Sequence, residues 1–210
     1  MPDTHLSHLD ASPAARPHAL RALLSGPGLS FIMEAHSGLS AKVVQEAGFA
    51  GIWASGLSMS AMLGLRDSNE ASWTQVLDQL EFMADATRLP ILVDGDTGYG
   101  EALNVMAMVR SFEDAGAGAV HIEDQILPKK CGHLNDKRLA DAHDMANKVA
   151  AAARARRHLY IMARTDAAAS EGMDGAVARA KLYVEAGADA IFPEALHDAE
   201  MFREFARRMN

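Results

Sequence analysis

Six short apolar runs punctuate the chain, at Phe31–Ala35, Gly51–Ala54, Ile91–Val93, Ala119–Ile122, Tyr160–Ala163 and Ala190–Phe192. Each is bounded by Gly, Pro, Asp or Glu and shows little polar alternation, the pattern of strands buried on both faces of a parallel sheet. Between them, Ala41–Ala47, Trp73–Ala86, Leu103–Ala115, Asp141–Arg156 and Asp174–Ala186 carry helical spacing and are rich in Ala, Glu, Lys, Met and Leu. A short helix is predicted over His18–Leu24. Residues 1–17 mix Pro, His, Ser and Asp without apolar periodicity, so they read as a flexible leader outside the fold.

An internal repeat organises these elements. EAGFAGIW at 46–53, DAGAGAVHI at 114–122 and EAGADAIF at 185–192 each place an acid-Ala-Gly step before a strand. The glycines Gly48, Gly116 and Gly187 suit the left-handed cap that turns a helix back into the sheet. Their spacing leaves room for two βα units in each interval, which predicts an α/β fold of the (β/α)8 TIM-type barrel kind. A doubly wound open sheet is the alternative, but no Gly-rich phosphate loop follows the first strand. Only six strands are evident where the barrel has eight. The expectation is therefore a flexible leader at 1–17 and one barrel domain at 18–210, truncated before strands seven and eight.

Composition narrows the chemistry. Of 210 residues, 49% are hydrophobic and 23% charged, which rules out disorder and allows a core without disulfides or structural metal. A formal charge of -8 disfavours nucleic acid and anionic lipid as partners. No apolar run approaches the ~20 residues of a membrane span, and no secretory leader is evident. With one cysteine, Cys131, the chain reads as cytoplasmic.

The polar residues fall where a parallel barrel keeps its chemistry, at the C-terminal ends of the strands. These are DGDTGYG at 94–100, EDQ at 123–125, RTDA at 164–167 and PEA at 193–195, with Arg66, Asp67 and Glu70 in the loop beyond strand two. Asp67, Asp94, Asp96 and Glu123 would share a small volume and repel unless a cation or protons intervene. Oxygen-only ligands suit Mg²⁺, which keeps several waters beside one or two direct carboxylates. Capping of helices or glycine loops is the structural alternative for any one of these acids, and zinc lacks a ligand pattern here. His121, within a strand, reads as a packed core residue.

PKKCGHLNDKRL at 128–139 reads as a polar flap able to cover the mouth. Lys129, Lys130 and His133 flank Cys131, and such cations favour thiolate. A reactive acid/base thiol is the expectation, with a buried structural cysteine as the alternative. Arg164 ends an apolar strand, so it should meet a substrate carboxylate or Glu194. SGLSMSA at 55–61 offers small residues whose backbone N–H groups could approach an anion. The methionines, Met59, Met62, Met83, Met106 and Met108, read as core filling.

Taken together, SGLSMSAMLG, DGDTGYG, IEDQ with PKKCGHL, IMARTDA and AGADAIFPEA resemble the isocitrate lyase/phosphoenolpyruvate mutase superfamily, from about residue 20 onward. That resemblance implies an (α/β)8 barrel, usually in tetramers that exchange C-terminal helices, and Mg²⁺ bound with 2-oxo or 2-hydroxy carboxylates. It implies Asp94 as the direct metal ligand, with Asp67, Asp96 and Glu123 acting largely through water. Trp53, SGLSMSA and GLRDSNEASWTQVL are similar to the phosphonate-acting branch. EDQ, KKCGH and Pro193-Glu194 are similar to the 2-methylisocitrate lyase branch, a lid that the carboxyvinyl-carboxyphosphonate mutases share.

The expected activity is Mg²⁺-dependent cleavage of a small 2-hydroxy di- or tricarboxylate to a 2-oxo acid and a carboxylate. Cys131 would donate the proton, Lys129 and His133 would support it, and Arg164 and Glu194 would orient substrate and lid. Trp53, Ser55, Gly56, Leu57, Asp67 and Gly132 would contact substrate. Phosphoenolpyruvate mutase or phosphonopyruvate hydrolase chemistry is one alternative. An inactive fragment or carboxylate-binding module is the other. A homotetramer or dimer is expected if the full-length barrel exists.

Overall fold

The computed structural model describes residues 15–132 and 134–210. In chain order it runs α1 (Ala15–Ser25), β1 (Ile32–Ala35), α2 (Gly38–Glu46), β2 (Gly51–Ala54), α3 (Gly56–Met62), α4 (Trp73–Ala86) and β3 (Ile91–Asp94). There follow α5 (Ala102–Asp114), β4 (Ala119–Glu123), α6 (Ala142–Ala155), β5 (Tyr160–Thr165), α7 (Ala168–Glu185), β6 (Ala190–Pro193) and α8 (Ala199–Met209). All six anticipated strands form, and they pair in parallel in the order β1-β2-β3-β4-β5-β6. A doubly wound sheet reverses direction at a switch point. This one never does, so the winding is that of a barrel wall whose ends, β1 and β6, do not pair with each other.

Local chemistry sets the boundaries. Ser37 and Ser72 start α2 and α4 with capping boxes closed by Ser40 and Gln75, while Asp141 accepts from the amides of His143 and Asp144 to start α6. The three repeat glycines take φ of 83°, 92° and 109°, the left-handed turn their motif requires.

One expectation changes at the helices. The leader boundary at residue 17 is too late, because the helix already begins at Ala15. Arg16 fixes it by donating to the carbonyls of Gly116, Ala84 and Thr87 at the bases of neighbouring units. The rest of that leader, residues 1–14, lies outside the described residues. The SGLSMSA segment forms α3, started by Ser55, whose side chain accepts from the Ser58 amide. Helix α7 is broken at Gly172, where φ is 69°, and the predicted Asp174–Ala186 segment is the part that follows the break.

Burial divides the strand residues by face. One face packs under the helices, with Ile52, Ile91, Val93, Val120, Ile122, Ile161 and Ala163 in a continuous core. The other gathers Leu92, Ala119 and Met162 with Trp53, Tyr160 and Phe192, and Leu20 of α1 plugs this inner cluster. Above that layer the inward positions turn polar, and the register sets Asp94 beside His121 and Glu123 beside Arg164. Among the described residues no helix is long and apolar enough to cross a membrane.

Candidate active site

A cavity of about 270 Å³ opens at the C-terminal ends of the strands, lined by Trp53, Ser55, Leu57, Asp67, Asp94, Lys129, Cys131, Gly132, Arg164, Phe192 and Glu194. It lies below the ~300–1,000 Å³ of pockets for drug-sized ligands, a size for a molecule of a few carbons. Strands β2, β3, β5 and β6 and the flap at 128–139 contribute these side chains, so groups distant in sequence meet at one mouth.

Asp94 is the most firmly placed acid. Its Oδ2 accepts from the Gly56 amide at 3.1 Å and its Oδ1 from the Asp96 amide at 3.1 Å, while His121 Nε2 stands 3.1 Å from Oδ1. Burial opposes its ionisation, but His121, Lys129 and Arg164 outweigh burial and hold the carboxyl well below its ordinary range. His121 is fully buried, as expected, and stacks on Trp53 at 4.9 Å and on Phe192 at 5.7 Å, the three rings forming a triangle.

The other acids divide differently from the sequence expectation. Asp67 lines the cavity, whereas Asp96 and Glu123 lie behind its wall. The cation among them is the flap's own Lys129, whose ammonium pairs with Asp67 and stands 2.9 Å from Asp96 Oδ1. Asp96 Oδ1 is fully buried, with this ion pair as its contact to the flap. Burial, then repulsion from Asp94, pushes the Asp96 carboxyl up to about 6 against the pull of Lys129. Burial likewise pushes Glu123 well above the usual range, although Arg164 Nε lies 3.3 Å away.

Two further expectations are corrected, at Gly56 and at Arg164. In the flap, Lys129 is engaged with Asp67 and Asp96. Lys130 turns to the carbonyls of Asn135 and Asp136. Gly56 was expected to offer its amide to a substrate carboxylate, but that amide holds Asp94. Arg164 meets Glu194 only at 3.7 Å, and its main partner is Asp166, bound through Nε at 3.0 Å and Nη2 at 3.1 Å. The geometry makes Asp166 the nearer and better aligned acceptor.

Cys131 is half-buried in the cavity wall, with Gly132 beside it. His133 lies outside the described residues.

Sequence reasoning missed the residues that hold the others. Asn69 donates to Asp96 Oδ2 at 3.0 Å and accepts from the Lys129 amide at 3.0 Å, tying the flap to the loop after α3. Gln125 donates to Glu123 and to the Lys130 carbonyl. Asp124 collects the Thr165 hydroxyl, the Asp166 amide and the Tyr183 hydroxyl, locking β4 to β5 and α7. For Asp124 and Asp166 the available signal was burial: an acid beside an apolar strand must find donors.

The donor set fits a hard divalent cation at Asp94. All candidate ligands are oxygens, and the six carboxylates Asp67, Asp94, Asp96, Glu123, Asp166 and Glu194 outnumber Lys129, Lys137 and Arg164. A Cβ at Gly56 would sit 2.9 Å from Asp94 Oδ2 and 3.4 Å from Asp96 Oδ1, so glycine leaves these two oxygens a shared approach. Among the described residues, no group of three His, Cys, Asp or Glu side chains stands together as a ready-made metal site.

Comparison with known proteins places this site in a family. The phosphoenolpyruvate phosphomutase family profile matches residues 20–210. A 2-methylisocitrate lyase of Bacillus subtilis (strain 168) is 45% identical over 189 residues, covering 90% of this chain and 63% of that protein. A phosphoenolpyruvate phosphomutase of Tetrahymena pyriformis is 48% identical over 177 residues, covering 82% of this chain and 59% of that protein. The chain thus spans under two thirds of the length of these relatives. A phosphonopyruvate hydrolase solved with oxalate and Mg²⁺ superposes with a TM-score of 0.82 at 36% identity, over 91% of this chain and 68% of its own. Winding, mouth chemistry and sequence agree: the chain belongs to the phosphoenolpyruvate mutase/isocitrate lyase superfamily.

Proposed function

We propose that this cavity is the site of a Mg²⁺-dependent carbon–carbon lyase that cleaves a small, 2-methylisocitrate-like 2-hydroxy di- or tricarboxylate to a 2-oxo acid and a carboxylate. The observation that carries the reading is that Cys131 and the ionised Asp94 share the walls of one small cavity with Arg164. The Bacillus subtilis relative bears the lyase name, and the hydrolase neighbour holds oxalate and Mg²⁺.

Asp94 would hold the metal, with Asp67, Asp96 and Glu123 reaching it through water. When bound, the ion supplies positive charge that polarises the substrate hydroxyl and carboxylate. The chain's own residues do the rest. Arg164 and Glu194 orient the substrate, and Trp53 and Phe192 form an apolar wall against its carbon skeleton. Cleavage needs the hydroxyl proton removed, and the cavity's carboxylates accept it. As the C–O bond becomes C=O, the C–C bond breaks and its electron pair stays on the carbon next to a carboxylate. That carbon then takes a proton from Cys131, and the flap above it keeps solvent away from the developing charge.

Cys131→Ser is expected to lower kcat by about 10²–10⁴-fold, the usual contribution of a positioned acid, with little change in KM. Steady-state kinetics on 2-methylisocitrate with Mg²⁺ measure this, and an unchanged kcat defeats the assignment.

A second reading, phosphoenolpyruvate–phosphonopyruvate interconversion, is favoured by the Tetrahymena relative. It lacks a purpose for a thiol, since phosphoryl migration needs a group such as an amide to hold phosphoryl oxygens and no carbon protonation. Phosphorus NMR with phosphonopyruvate and Mg²⁺ separates the two. Binding of succinate and Mg²⁺ without turnover of any 2-hydroxy acid would identify a carboxylate-binding module instead.

A further inference from the structure

Lys137 lies outside the 270 Å³ cavity and has no part in the chemistry above. It lines a wider cavity of about 950 Å³ on the far side of the flap, and Gly132 and Glu194 border both spaces. Its side chain is nonetheless only 6% exposed, and its ammonium makes two contacts across the flap. One is to the Gly132 carbonyl at 2.9 Å, next to Cys131. The other is to Asp166 Oδ1 at 2.5 Å, at the end of β5.

Asp166 joins this contact to the active site. Its carboxylate takes both Nε and Nη2 of Arg164, and its amide is fixed by Asp124 Oδ1 at 2.9 Å. The fully buried carboxylate therefore lies between two cations, Arg164 and Lys137. The flap also touches Arg164 directly: a Cβ on Gly132 would overlap Nη2 and lie 3.1 Å from Glu194 Oε1. At its other end the flap is fastened by Lys129 to Asp67 and Asn69. Cys131 sits between the two fastenings.

We infer that Lys137 is a positioning residue: it clasps the thiol-bearing turn of the flap to β5 and, through Asp166, sets the orientation of Arg164. Its effect on turnover rests on the lyase reading; its effect on the flap does not. Without the ammonium, the Gly132 carbonyl loses its donor and Asp166 keeps a single cation, so the turn and the guanidinium are both released.

Because Cys131 is the only cysteine, alkylation of the full chain by iodoacetamide reads the flap directly. The plateau rate at high pH is used, where the thiol is fully ionised and changes in its acidity drop out. Lys137→Met is expected to raise this rate several-fold. It should also lower kcat by up to about 10²-fold, the cost of a misplacement near 1 Å, with a smaller change in KM. Lys137→Arg should recover both, and Asp166→Asn should reproduce the faster alkylation. Should Lys137→Met fail to fold by thermal melt, Asp166→Asn carries the same test. Alkylation at the parent rate in the folded variants overturns the proposal, whatever happens to kcat. Faster alkylation together with a parent chain that turns over no 2-hydroxy acid sustains the clasp and overturns the lyase reading instead.

Discussion

At the scale of single residues, the site depends on close approaches that a methyl group would spoil. Gly56→Ala would drive a Cβ against Asp94 Oδ2, which lies only 2.9 Å from that position. We expect Mg²⁺ affinity to fall by about 10–100-fold, as when an outer contact of a metal ligand is lost; calorimetric titration of the purified variant checks this. Glu113 makes a comparable point away from the mouth. Its carboxylate accepts from the amides of Arg157, His158 and Leu159, just before β5. Burial works against its charge, but these three amides and Arg157 hold its pKa below the ordinary value. A depressed carboxyl stabilises the fold above its unfolded pKa, about 4.3, and that contribution disappears as the pH falls through the folded value. Glu113→Gln should therefore cost about 1–3 kcal/mol near neutrality and flatten the acid limb of a stability-against-pH curve from urea melts. The acids, the flap thiol and Arg164 were legible in the sequence, because charged residues at strand ends have few other uses. Their pairings were not. Whether Arg164 meets Asp166 or Glu194 depends on side-chain directions that spacing alone does not fix.

At the scale of elements, strands and major helices followed the apolar pattern to within a few residues, and the misses have physical causes. SGLSMSA lacks the apolar stripe of an amphipathic helix, yet Met59 and Ser60 are buried and Ser55 supplies the cap, so packing overrides a weak local pattern. The short turn that precedes Gly172 in α7 was not anticipated, because the helix is broken at that residue. Capping chemistry, by contrast, is local and could be read directly. Asp141→Ala should destabilise the chain by about 1 kcal/mol, seen as a lower urea midpoint with unchanged slope.

At the scale of the whole molecule, α1 closes the base of the wall through one guanidinium. Arg16 joins carbonyls 68 to 100 residues away, at Ala84, Thr87 and Gly116. Arg16→Ala should lower stability by about 3 kcal/mol, from lost bonds to a charged donor and release of Leu20; chemical denaturation monitored at Trp53 and Trp73 measures it. The barrel-type winding was evident from the acid-Ala-Gly repeat, while the plug was not, since the short helix predicted at His18–Leu24 gives no hint of partners so far along the chain. The sequential strand order also bears on how the protein is made. Each strand's neighbour is the one just synthesised, so the sheet can be laid down vectorially as the nascent chain leaves the ribosome, every βα unit templated on the edge before it. The α1 seal must wait longer, because the cluster around Leu20 includes Met162 and Phe192.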